Sequence, residues 1–184
     1  VHPRTLQPVD HGIGVLLLTA LYPFTQQMPF VRYFTGDLVE VVEPASALGG
    51  LQVQYVGRLT RSVIDATGDE VKPLLLSGPL YEVLEAVPDL AITPRFTDLA
   101  VGRGLELTGD LHYGVDADAT GIRLRLGLRY APWMFADRVA ELTTQLSTEL
   151  MARHPELAAR CADGRMTFHI DPRDGSEVTP YDSK

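Results

Sequence analysis

Apolar positions follow two regimes along this chain. In the first 56 residues they come as short runs bounded by turn residues. Residues 13–19 (Ile-Gly-Val-Leu-Leu-Leu-Thr) form an apolar run of the kind expected for a strand buried on both faces. Residues 20–30 hold two prolines, two glutamines and three aromatics, the composition of a surface loop with some anchoring side chains. Residues 31–33 are β-prone, and 37–42 form a second apolar strand ended by Glu43-Pro44. A turn is expected at 45–50 and a half-buried, alternating strand at 51–56.

After Gly57-Arg58 the period changes. Leu80, Val83, Leu84 and Val87 recur at helical spacing behind Ser77, a plausible N-cap, and Pro88 stops that helix. A strand is expected at 90–96. Residues 105–115 and 122–130 alternate strongly and are joined by Asp116-Ala-Asp-Ala-Thr-Gly121, which predicts a hairpin. In its second strand Ile122, Leu124, Leu126 and Leu128 share one face, while Arg123, Arg125 and Arg129 share the other. Phe135, Val139, Leu142, Leu146 and Leu150 mark a long amphipathic helix, with Trp133, Met134 and Phe135 at its start expected in the core. His154-Pro155 ends or kinks it, residues 156–161 allow a further turn, and 166–170 form a last strand. The order from residue 72 is α, β, β, β, α, β. The fold class is therefore α+β, with a β-rich first segment (1–57), a polar linker (58–71) and a C-terminal domain (72–184) whose helices cover one face of a mainly antiparallel sheet. The pattern shows no internal repeat.

Composition narrows the functions. At 184 residues, with 45% hydrophobic and 22% charged, the chain can build a packed core. A formal charge of -8 argues against nucleic acid, whose binders need a cationic surface. No stretch approaches the roughly 20 apolar residues of a membrane span. The run 15–18 is too short for a signal-peptide core and has no basic leader, so a cytoplasmic location is expected. The opening Val1-His2-Pro3-Arg4 reads either as a start inside a larger fold or as a protein that begins at a valine codon. The single cysteine, Cys161, has no intrachain partner and no zinc-site spacing, and reads as a passive thiol.

The segment with most chemical content is Arg32-Tyr33-Phe34-Thr35-Gly36-Asp37. Glycine before an acid at the mouth of a strand presents a carboxylate that can accept both hydroxyls of a ribose. Gly57-Arg58 places a guanidinium, suited to phosphate or ribose oxygens, after another strand. Each piece taken alone is also what a β-turn with a solvated aspartate looks like.

The run from Leu18-Thr19-Ala20-Leu21-Tyr22-Pro23-Phe24 to Met28-Pro29-Phe30-Val31-Arg32-Tyr33-Phe34-Thr35-Gly36-Asp37-Leu38 resembles the adenylate-forming acid ligases, and most of all their phenylacetate–CoA ligase branch. Gly57-Arg58-Leu59-Thr60-Arg61-Ser62 resembles the hinge motif between the large N-terminal and small C-terminal domains of that superfamily. The resemblance is strong at these two motifs and loose after residue 90. It implies the C-terminal part of an enzyme that joins a carboxylic acid to ATP, with Mg, to give an acyl-adenylate and then passes the acyl group to CoA or another thiol. It implies that Asp37 binds the ribose hydroxyls, with Arg32, Thr35 and Gly36 beside it. Arg58 would contact the nucleotide, Gly57 and Thr60 would form the hinge, and Lys184 stands nearest to the family's late catalytic lysine. It implies an N-terminal ligase domain or partner subunit, without which the chain is expected to be inactive.

Three positions depart from the family pattern. Phe34 replaces its middle arginine, Thr60 stands where an aspartate is frequent, and no glycine precedes Lys184. The family's Ser/Thr/Gly-rich phosphate loop and adenine pocket lie upstream of these motifs and have no counterpart here. Two other functions stay open: a non-catalytic docking or regulatory module, and a ligase fragment recruited to another reaction. His112 and His169, both on expected strands, could be neighbours, but a pair without a third ligand argues for ordinary histidines and no metal. The Arg123, Arg125, Arg129 face is expected to be solvated, with docking of a phosphorylated carrier such as CoA as the alternative.

Overall fold

The computed structural model describes residues 1–19, 32–43, 52–94 and 109–179. The expected loop at 20–30, the turn at 45–50, the first residues of the 105–115 strand and Lys184 lie outside the described residues. The chain divides into two compact units, Val1–Leu80 with His154–Leu157, and Tyr81–Arg153 with Ala158–Lys184.

The first unit is built on an antiparallel sheet of β1 (Gly12–Leu18), β2 (Tyr33–Glu43) and β3 (Gln52–Arg58), with β2 in the middle. Tyr33 and the stretch 37–42 are not on two strands, because β2 runs through Gly36, which takes φ 75°. Only glycine adopts that left-handed value without strain. Ile13, Val15, Leu38, Val56 and Val71 form the core of the unit. β3 departs from its half-buried expectation: Val53 and Tyr55 are exposed, and only Val56 and Gly57 are buried. It is an edge strand whose C-terminal end alone reaches the core. Residues 58–71, polar by composition, carry the 3-10 turn η1 (Leu59–Arg61) and β4 (Val63–Asp65), which pairs with β5 (Lys72–Leu75). Leu59, Ile64, Ala66 and Val71 join the core, so this segment is packed into the first unit.

Helix α1 (Ser77–Glu85) crosses the division, and Pro88 follows it within one turn. In the second unit β6 (Ile92–Pro94) pairs with β7 (Gly109–Leu111), and β8 (Tyr113–Ala117) pairs with β9 (Gly121–Leu128). The hairpin is present, but its first strand breaks at His112 into β7 and β8. Ile122, Leu124, Leu126 and Leu128 are all buried, as their alternation requires. The 3-10 turn η2 (Pro132–Phe135) leads into α2 (Ala136–Arg153), which buries Leu142, Leu146 and Leu150. Pro155 then opens α3 (Pro155–Ala162), whose first residues, Pro155–Leu157, belong to the first unit, and β10 (Thr167–Asp174) lies parallel to β9. Trp133, Met134 and Phe135 are not core: they are 81%, 55% and 49% exposed. The 3-10 turn has three residues per turn, which carries these side chains off the leucine stripe of α2. Three α-helices and mostly antiparallel sheets make the described residues an α+β fold.

Candidate functional site

The first unit brings Asp37 and Arg58 directly opposite each other on β2 and β3. Arg58 Nε lies 3.0 Å from Asp37 Oδ1, and Arg58 Nη1 donates to the Thr35 carbonyl at 3.4 Å. Twenty-one positions separate the two residues in sequence, and the β2–β3 register makes them neighbours. That register is irregular here: Leu38 pairs with Gly57 but Val39 with Tyr55, so β3 carries an extra residue beside the pair.

Thr35 shapes the bend that presents Asp37. Its hydroxyl donates to the Leu16 carbonyl at 3.0 Å and accepts the Asp37 N–H at 3.0 Å. The hydroxyl's one proton is thereby committed to β1, so Thr35 acts on Asp37 through the backbone. Arg32 precedes β2 at φ 52°, its N–H donating to Thr19 Oγ1 at 3.2 Å, and its side chain is exposed. The carboxylate of Asp37 meets Arg58 and not Arg32.

Gly57 is buried with φ 148°, a value that favours glycine. A β-carbon there would meet Ser77 Oγ, and one on Gly78 would lie 2.7 Å from the Val56 carbonyl oxygen. The end of β3 and the first turn of α1 therefore touch through two residues without side chains. Ser77 Oγ accepts the Arg58 N–H at 2.8 Å, Ser62 Oγ donates to Ser77 Oγ at 3.2 Å, and Ser62 Oγ accepts the Ser77 N–H at 3.0 Å. Thr60 is exposed within η1, between these tied ends. Sequence reasoning took Ser77 for a helix cap alone and passed over Ser62, because no local spacing links two serines fifteen residues apart.

As a chemical site the pair offers one guanidinium and one carboxylate. Oδ1 receives Arg58, and a carboxylate has about four lone-pair positions, so Asp37 keeps acceptor capacity for hydroxyl groups. Among the described residues no group of three or more His, Cys, Asp or Glu side chains could hold a metal ion.

Among the other candidates, His112, Arg125 and Arg129 are occupied structurally. His112 Nδ1 lies 2.8 Å from the Gly175 carbonyl oxygen and Nε2 lies 2.8 Å from Thr93 Oγ1. His169 sits on β10 opposite Arg123, whereas the His112 carbonyl accepts the Gly127 N–H on the other side of β9. Four residues along β9, about 13 Å, separate those rungs, so the two histidines are not neighbours. Arg125 Nε pairs with Asp116 at 2.7 Å, and Arg129 Nε donates to the Leu90 carbonyl at 2.8 Å. Arg123 and His169 line an open groove of about 490 Å³ together with Asp116 and Asp118. Burial pushes the Cys161 thiol up from its ordinary value, which disfavours the reactive thiolate.

The chain is 33% identical over 99 residues to a phenylacetate-coenzyme A ligase of Thermus thermophilus. The matched stretch covers 52% of this chain and 22% of that protein. No protein-family model matches the chain. The similarity supports a ligase-like relationship for the matched stretch. No helix among the described residues is long and apolar enough to cross a membrane.

Proposed function

We propose that the chain is the C-terminal part of an ATP-dependent acyl-adenylating ligase, one that activates a carboxylic acid and passes the acyl group to a thiol such as CoA. The carrying observation is the Asp37–Arg58 pair, an acid and a guanidinium set face to face on adjacent strands within two motifs that resemble those of the ligases. Similarity to a phenylacetate-coenzyme A ligase supports the same class. In this reading Asp37 accepts the ribose hydroxyls, and Arg58 swings from Asp37 toward the nucleotide's oxygens. Arg32, Thr35 and Gly36 form the surrounding strand, with Thr35 fixing its bend. Gly57 and Thr60 form the hinge, and Lys184 stabilises charge on the α-phosphate. Mg would travel with the nucleotide's phosphates. An N-terminal ligase domain or partner subunit supplies the phosphate loop, and the location is cytoplasmic.

The test is pyrophosphate release from ATP with arylacetic and other carboxylic acids. The chain is assayed alone and joined to a ligase N-terminal domain that carries the phosphate loop. Release only in the joined form, lost at least about a hundredfold in Asp37→Ala, is expected. Full activity of the isolated chain would sink the dependence on an N-terminal domain. One observation favours a second reading, a docking or regulatory module: the Asp37 and Thr35 polar groups already serve internal bonds. Nucleotide-independent association with the N-terminal domain, without pyrophosphate release, would select it.

A further inference from the structure

We propose that Ser62 and Ser77 form a latch that holds the turn around Thr60 closed. The bonds lie on both sides of that turn. Before it, the Arg58 N–H donates to Ser77 Oγ; after it, the Ser62 hydroxyl donates to Ser77 Oγ and accepts the Ser77 N–H. Both ends of the turn are thus fastened to one residue at the start of α1, and Ser77 is 7% exposed.

Leu59 anchors the turn to the core of the unit, and the serine bonds close its two ends. The Ser62 N–H reaches the Leu59 carbonyl only at 3.5 Å, and Thr60 is exposed. Gly57 and Gly78 let the two backbones approach closely enough for the serines to meet. Because Ser77 Oγ receives both Arg58 and Ser62, a displacement of Ser77 releases both ends of the turn together. The latch gives way as a unit. Why such a turn should open at all rests on the ligase reading, in which Thr60 is the pivot; that it is held shut does not.

Amide hydrogen exchange on the intact 184-residue chain tests this. A net hydrogen bond multiplies a closed population about fivefold. Ser62→Ala should therefore speed exchange about fivefold or more at Ser77, and also at Arg58, which it does not touch by its own bonds. Ser77→Ala should do the same at Arg58. The Arg125 amide on β9 is the control and should not change. If Ser77→Ala fails to fold, Ser62→Ala carries the test. Two results would overturn the latch: wild-type Arg58 and Ser77 amides exchanging as fast as an exposed loop, or Ser62→Ala accelerating Ser77 alone. Neither measurement needs ATP or a partner. Failure of the ligase reading would show as absent pyrophosphate release with the coupled exchange intact. Failure of the latch would show as uncoupled exchange whatever the pyrophosphate assay gives.

Discussion

The two units each contain a three-stranded sheet with a long central strand, and the two central strands are built on opposite terms. β9 keeps unbroken register with β10 from Gly121 to Leu128 and with β8 from Ile122 to Leu126. β2 loses register once against β1, between Val15 and Leu17, and twice against β3, around Leu38–Val39 and Val41–Glu43. It also carries a left-handed glycine. The regular strand buries four aliphatic side chains and serves as scaffold. The irregular one gives up ladder order one rung beyond the Asp37–Arg58 pair. Bulges and left-handed residues re-aim side chains at a cost that the rest of a sheet must cover, and in β2 they lie beside the proposed site.

The largest expected effect sets the two strands against each other. Leu124→Ala on β9 should cost about 2–5 kcal/mol through an unfilled cavity. Gly57→Ala at the end of β3 should approach that range, about 1–3 kcal/mol, by backbone strain and overlap with Ser77. Urea denaturation followed by probes in each unit measures both. A neutral Gly57→Ala would remove the claim that the irregular sheet is strained into shape. A smaller effect is the coupling between Asp37 and Arg58. Their side chains are 25% and 53% exposed, so a double-mutant cycle to alanine should give only about 0.2–1 kcal/mol. A much larger coupling would make the pair a structural fastener in place of a surface ready for ligand.

The smallest effect concerns acid. The Thr120 hydroxyl, then the Thr120 and Gly121 N–H groups, hold the Asp118 carboxyl below its usual value of 3.8. The Ser176 hydroxyl and N–H do the same for Asp174. A carboxyl with a depressed folded value adds stability above its unfolded value and loses it as pH falls through the folded one. Melting of the second unit should therefore drop slightly below about pH 4, and Asp118→Asn with Asp174→Asn should flatten that drop. An unchanged slope in the double variant would count against these turns as the cause.

The sequence reveals the second unit better than the first, for a physical reason. Leu124 to Leu128 and Leu142 to Leu150 repeat at the strand and helix periods, and Pro88 and Pro155 mark helix boundaries locally. Gly36 also looks local, as a turn; that a strand passes through it depends on partners on both sides. The parallel partnership of β9 with β10 is likewise chosen across two helices. Trp133 misled because an apolar residue ahead of a helix does not announce the change to a 3-10 turn. At the candidate site Asp37 and Arg58 were legible as motif residues. Their facing was not, because it follows from register. Nor was the turning-inward of the Thr35 hydroxyl, or the meeting of Ser62 with Ser77, which needs Gly57 and Gly78 to come together first.

The parallel pairing of β9 and β10 also orders events during synthesis. β9 and its hairpin partner leave the ribosome well before β10, since α2 and α3 must emerge in between. Until Thr167–Asp174 arrives, one edge of the unit's most apolar strand has no mate. An unpaired edge of that composition invites a strand from another chain. Nascent or C-terminally clipped molecules ending before Thr167 should therefore be the aggregation-prone species, and the last strand works as the cover that keeps finished molecules apart.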